Sequence, residues 1–186
     1  MNTPFQQLRN RSNRLQQLSE EWIQEQASIL KVTPQRFFQD TDRLTSRVRL
    51  GRLYMFQYDP KLKESLDFYD TFPLVIPLEY TKTGFTGFNL HYLRPQSRAF
   101  ILETLKEYLT DDRMSERTRI NITWDRVNRK LQLQELKKTV KSYLTSHIRS
   151  RFLNLNQEDW DLAVWIPSDR FKKARRKRVW EVTDGL

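Results

Sequence analysis

Apolar residues near the start of the chain fall into a narrow stripe. Leu8, Leu15, Trp22 and Ile29 recur every seven residues, Leu18 lies on the same side, and Gln, Arg and Glu fill the rest. With Thr3 as N-cap and Pro4 at the first helical position, residues 3–31 read as one long amphipathic helix. Such a stripe serves either a helix lying on its own domain or a coiled-coil handle for a partner. The pattern lasts barely four heptads, which favours the first. Thr33-Pro34 restarts a short helix through Phe37 and Phe38.

The period then switches to two. Leu50–Tyr58 reads as a buried strand, with Leu53, Met55 and Gln57 on one face and Tyr54, Phe56 and Tyr58 on the other, ended by Asp59-Pro60. Leu74–Tyr80 is a second strand, in which Pro73 and Pro77 mark an edge or a bulge. Thr83-Gly84 signals a turn, and Thr86–Tyr92 is a third strand. Ser97–Leu109 is an amphipathic helix with Ile101, Leu102, Leu105 and Leu109 inward. A polar connection over Asp111–Thr118 leads to a short strand at Ile120 and Ile122. Trp124–Ser146 follows as mostly helical, through Val127, Leu131, Leu136, Val140 and Leu144. Ile148–Leu153 is a further short strand, Asn156–Asp159 resembles a capping box, and Leu162–Ile166 is an apolar segment stopped by Pro167. Ser168 is expected to cap a last basic helix, with Val179-Trp180 as an apolar pair near its end.

These elements predict an α+β protein: a small, twisted antiparallel sheet or partial barrel packed by helices, with a long N-terminal helix. Residues 1–32 form the arm, and residues 33–186 a single domain with a basic C-terminal segment. Since the core pattern starts near Phe37, the arm is expected to be dispensable for folding.

Charge narrows the function. Thirty-three Lys and Arg against 23 Asp and Glu leave a formal charge of +10, which calls for an anionic partner. There is no cysteine, so disulfides, thiolate metal sites and cysteine nucleophiles are excluded. No signal-peptide h-region is visible, and the longest apolar run, Leu74–Leu78, is far too short to span a bilayer, so no membrane partner is expected.

The densest charge lies in Arg170, Lys172, Lys173, Arg175, Arg176, Lys177 and Arg178, with no acid among them. Their mutual repulsion is relieved by a phosphate backbone, which releases counterions as it binds. A solvated tail or an import signal would carry the same composition. Arg149 and Arg151, on the expected strand over Ile148–Leu153, would share one face and extend the cationic surface. Arg9, Arg11 and Arg14, and the group from Arg43 to Arg52, are further candidates. Arginine outnumbers lysine 21 to 12, which suits phosphate forks and stacking.

No catalytic constellation stands out. His91 and His147 lie in separate segments without a third ligand, no phosphate-cradling glycine loop exists, and no cofactor is implied. His91 reads as a satisfied core or turn histidine. Asp67, Asp70, Glu79 and Lys82 loosely resemble a nuclease cluster, but Glu79 and Lys82 would face opposite sides of a strand.

Several phrases carry a resemblance. They are Gly51 to Lys61, Tyr69 to Pro77, Gly84 to Pro95, Arg149 to Leu153, Glu158-Asp159-Trp160 and Pro167 to Phe171. Together they resemble the DNA end-protector proteins of T4-like contractile-tailed phages, over roughly residues 47–180. The resemblance implies a non-catalytic virion protein that sits on the ends of the packaged linear duplex. It would enter the host cytoplasm with the DNA and shield those ends from the host exonuclease complex. Other virion proteins are implied as neighbours, with the N-terminal helix as the handle. Arginines would hold the terminal phosphates, and Trp180 would cover the open stacking face. The rival readings are an architectural protein of the neck, tail or baseplate and, further off, a metal-dependent nuclease.

Overall fold

The computed structural model describes residue 7 and residues 20–31, 33–109, 115, 118 and 137–183. The expectations for Thr3, Leu8, Leu15 and Leu18, for Arg9, Arg11 and Arg14, for Ile120 and Ile122, and for the helix from Trp124 to Leu136 lie outside the described residues.

The elements are α1 (Glu20–Ile29), α2 (Pro34–Phe37), a 3-10 turn (Thr41–Arg43), β1 (Leu44–Thr45), β2 (Leu53–Met55), β3 (Tyr69–Asp70), β4 (Leu74–Thr81) and β5 (Gly84–Asn89). A second 3-10 turn (Leu90–Tyr92) leads to α3 (Pro95–Leu109). After it come β6 (Val140–Leu144), a 3-10 turn (Thr145–His147), β7 (Phe152–Leu155), α4 (Gln157–Trp165), β8 (Phe171–Lys172) and α5 (Arg176–Thr183). Six strands form one antiparallel sheet in the order β1-β7-β2-β4-β5-β6, and β3 and β8 make a separate two-stranded ribbon. The class is therefore α+β.

The alternation read in residues 53–58 divides two cores. Leu53 and Met55 join the main cluster with Leu74, Ile76, Phe88, Leu153 and the helices. Tyr54, Phe56 and Tyr58 join an aromatic cluster on the other face with Val75, Phe85, Tyr143 and Phe152. On a flat sheet β5 and β7 would lie about 14 Å apart, three spacings of about 4.8 Å. The Phe85 and Phe152 rings nonetheless meet at 6.1 Å, so the sheet curls tightly around Phe56. Edge-to-face contacts such as Phe56–Tyr143 at 5.2 Å fill the concave side, each worth about 0.5–1.5 kcal/mol beyond area burial.

Several sequence expectations change. In α1 the inward residues are Ile23 and Ala27, at 0% and 3% exposure; Trp22 is partly buried and Ile29 is 56% exposed. The true repeat follows the 3.6-residue helical period rather than the strict heptad of Trp22 and Ile29. Ile23 belongs to the main core, so a chain lacking residues 1–31 leaves a hole beside α4 instead of an intact core. Pro77 marks a bulge inside a central strand, since the β4–β5 register shifts between Pro77 and Glu79. The third strand ends at Asn89, whose side chain accepts from the His91 amide and turns Leu90–Tyr92 into a 3-10 turn.

Val140–Leu144 is a strand, not the end of a helix. Val140 and Leu144 mimic helical spacing, but Lys141 and Tyr143 turn inward, and five register pairs with β5 override the local pattern. Asn156 does precede α4, yet its side chain makes no cap bond, and Asp159 is buried against Arg43 instead of completing a capping box.

Gly87 sits where β5 passes β4. A Cβ there would lie 2.3 Å from Val75 Cγ1, so Gly87→Ala is expected to cost about 1–3 kcal/mol in a denaturant titration.

Candidate nucleic-acid interface

The segment after β2 brings distant cations together. Its Tyr58 amide donates to Thr71 O at 3.0 Å, and Thr71 in turn donates its amide (3.0 Å) and hydroxyl (2.9 Å) to Arg170 O. On the other side, the Arg149 amide donates to Gln57 O at 2.9 Å, and the Gln57 amide donates to Ser150 Oγ at 2.9 Å. Residues 149 and 170 thus flank one backbone ladder although 21 residues separate them. The result is an open cleft of about 520 Å³ lined by Arg149, Arg170 and Lys172, with Gln57, Thr71 and Phe171 between them. Among the described residues no carboxylate lines it. Positive charge gathered at such a concave surface raises the local concentration of anions.

The basic segment is not one helix. Arg170 precedes β8, Lys173 adopts a left-handed φ of 66°, and α5 begins only at Arg176. Ser168 caps nothing; it is buried against His91. Arg149 and Arg151 also fall short of β7, so they do not share a strand face.

Four of the nine cations are engaged locally. Arg170 Nη1 donates to the carbonyls of Asp169 (2.8 Å) and Pro167 (3.1 Å), and Arg176 Nε pairs with Asp169 at 3.1 Å. Lys173 Nζ donates to the carbonyls of Lys63 (2.8 Å), Glu64 (2.8 Å) and Leu66 (3.1 Å), which fastens the loop after Pro60. Arg149 is half exposed and lies 3.7 Å from Asp59, whose carboxyl the hydrogen-bonded Lys63 ammonium and Arg149 hold below the usual carboxylate range. Arg178 is exposed and only grazes Glu181 at 4.0 Å. Arg151, Lys172, Arg175 and Lys177 are exposed and make no ion pair with any described residue.

Trp180 is half buried rather than free. Its Nε1 donates to His91 O at 3.0 Å, and the guanidinium carbons of Arg98 and Arg176 stand 5.6 Å and 6.0 Å from its ring centroid. With Arg94, Lys177 and Glu181 it lines a separate cavity of about 220 Å³.

Sequence reasoning missed a buried polar array that links Asp70, His91 and Ser168. Asp70 Oδ2 is 2.6 Å from His91 Nδ1, and His91 Nε2 is 3.0 Å from Ser168 Oγ. The order matches that of a nucleophilic triad. All three residues are at most 4% exposed, and the array ties β3 to the turn after β5 and to the segment before β8. Burial pushes the Asp70 carboxyl up, but His91 and the amides of Phe72 and Arg170 outweigh it and hold its pKa below the ordinary value. His91 is accordingly a satisfied core histidine. Asp67, Glu79 and Lys82 are exposed while Asp70 is buried, so the nuclease-like cluster does not assemble. Among the described residues no group of His, Asp and Glu could hold a metal ion. No described helix is long and apolar enough to cross a membrane. Nothing in the spacing of Asp70, His91 and Ser168 signals their meeting.

Fold and site together define a basic, curled α+β protein that brings Arg149, Arg170 and Lys172 to one open cleft. The chain belongs to the family described as phage T4 terminal DNA protecting protein, which it matches over residues 6–182. The match begins well before residue 47, where the resemblance in the sequence became readable. No curated protein and no solved structure matches the chain.

Proposed function

We propose that this protein binds the ends of linear double-stranded DNA and shields them from exonuclease without chemistry of its own. The observation that supports this most is the meeting of Arg149, Arg170 and Lys172 at one cleft that no described carboxylate lines. Exposed Arg151, Arg175, Lys177 and Arg178 extend the positive surface for phosphates further along the duplex. Lys173 and Arg176 act instead by holding the loop and β8 in place. Trp180, Arg94 and Lys177 form a second contact, where the indole edge meets the sugar or base of the terminus. The protein works in the virion and in the host cytoplasm after entry, and the host exonuclease complex is excluded by occupancy. Contacts with other virion proteins fall to the N-terminal segment.

Phosphate contacts alone carry no information about position along a duplex. An end binder also uses what only a terminus exposes, and base–aromatic stacking of about 1–3 kcal/mol gives roughly a tenfold to hundredfold preference. In competition binding, short linear fragments should therefore outcompete an equal mass of closed circles in proportion to their ends. Equal competition by circles would refute end recognition.

The non-catalytic part is tested separately. Incubation with magnesium or manganese should leave linear and circular DNA intact. Cleavage that disappears in Glu79→Ala, an exposed and structurally tolerant position, would establish a nuclease instead.

A further inference from the structure

A second cavity, of about 200 Å³, adjoins the cationic cleft and shares Tyr58 with it. It is smaller than the roughly 300–1,000 Å³ typical of drug-sized ligands, and has room for about one ring system. Its walls include Tyr69, Asp70, Tyr92 and Tyr143, with Phe68 packed on Tyr92 at 5.9 Å. Lys141 enters from β6, its Nζ 4.2 Å from the Tyr92 ring centroid. Burial there lowers the ammonium pKa from its ordinary value.

The polar groups do not close on one another. The Tyr143 hydroxyl is buried and makes no hydrogen bond of normal geometry; burial pushes its pKa well above the ordinary value, so it stays a protonated donor, and Asn89 only partly offsets this. A buried donor of this kind is normally paired, so an occupant with acceptor atoms would complete it. The cavity is also pre-formed. Lys173 clamps the loop that supplies Leu66 to its wall, and Tyr69 pairs in register with Lys172 of the cleft.

We propose that this cavity receives a single unpaired nucleobase from the DNA terminus whose phosphates occupy the cationic cleft. The inference rests on the end-binding reading above. A heterocycle fits both halves of the lining: its faces stack on tyrosines, and its ring nitrogens and exocyclic groups meet Tyr143, Asn89 and Lys141. An alkyl ligand would leave those polar groups unpaired, and a phosphate would meet Asp70 in the same lining and leave the aromatic walls without a partner. A base is released most cheaply where it has no pairing partner, which is at an end.

The test uses the full chain and hairpin duplexes with one open end. One carries a single-nucleotide adenine overhang, and the other an abasic overhang of equal charge. The adenine overhang should bind on the order of tenfold tighter than the abasic one. A 2-aminopurine overhang should change its fluorescence on binding. Lys141→Met and Tyr92→Leu, each checked for folding by thermal melting, should erase the difference while keeping the wild-type salt slope. Equal affinity for the two overhangs on the wild-type protein, with linear DNA still preferred over circles, would overturn the base-pocket proposal and leave end binding standing. Loss of the linear preference would overturn both.

Discussion

Replacing Arg151, Lys172, Arg175 and Lys177 together by alanine should weaken duplex binding by roughly two to three orders of magnitude at about 0.1–0.2 M salt. Of the nine candidate cations these four are exposed and make no ion pair with described residues, so their charge is available to a ligand. Every phosphate that goes unneutralised should flatten the slope of log K against log salt by about 0.9, or about 3–4 for the set. The weakening should be the same for every DNA sequence, since phosphates carry none of the sequence information. Melting temperature should hardly move, because exposed substitutions of this kind fall within about 0.5 kcal/mol. Lys173→Ala should behave in the opposite way. Its ammonium serves three carbonyls, so its removal should loosen the loop after Pro60 and lower stability more than it changes the salt slope. An unchanged slope in the quadruple variant would remove this surface from the DNA interface.

Asp70→Ala should cost about 3–5 kcal/mol, a large share of the roughly 5–15 kcal/mol that holds a domain folded. The carboxylate accepts from His91 Nδ1 at 2.6 Å and from the amides of Phe72 and Arg170 at 3.0 Å each. Alanine strands three buried or half-buried donors, each costing about 1–3 kcal/mol if nothing replaces the acceptor. Because the Arg170 amide is one of them, the cleft should loosen together with the core. The same group predicts acid sensitivity. The folded pKa of Asp70 lies below its unfolded value near ~3.9, so its stabilising share is complete above about pH 4. It should be lost as pH falls through the folded pKa. Chemical denaturation of wild type and variant at pH 7 and pH 3 should show their stabilities converging at the lower pH; a constant gap would contradict the assignment.

The sheet was legible where local pattern and tertiary environment agree. The alternation of Leu53 and Met55 against Tyr54, Phe56 and Tyr58 announces two faces, and the fold buries both. It was illegible where they conflict. Val140 and Leu144 keep helical spacing, while the pairing of β6 with β5 and the inward turn of Lys141 and Tyr143 come from partners more than fifty residues away. The basic segment was visible as charge, but not as a site. Only the ladder through Thr71, Tyr58 and Gln57 brings Arg170 and Lys172 beside Arg149. Sequence likewise gives no sign that Lys173 and Arg176 are engaged by carbonyls and Asp169. Buried Arg98 is equally silent: its guanidinium donates to the carbonyls of Leu93 and His91 at 2.8 Å and 3.1 Å, in a helix that reads as ordinarily amphipathic.

End protection itself is tested most directly by digestion of linear duplex with a processive double-strand exonuclease at rising protein concentration, using fragments of several lengths at equal molar ends. Protection should become complete at a small, fixed number of protein molecules per end, independent of fragment length. A requirement that grows in proportion to length would mean that the DNA must be coated along its whole contour, and would contradict recognition of the terminus.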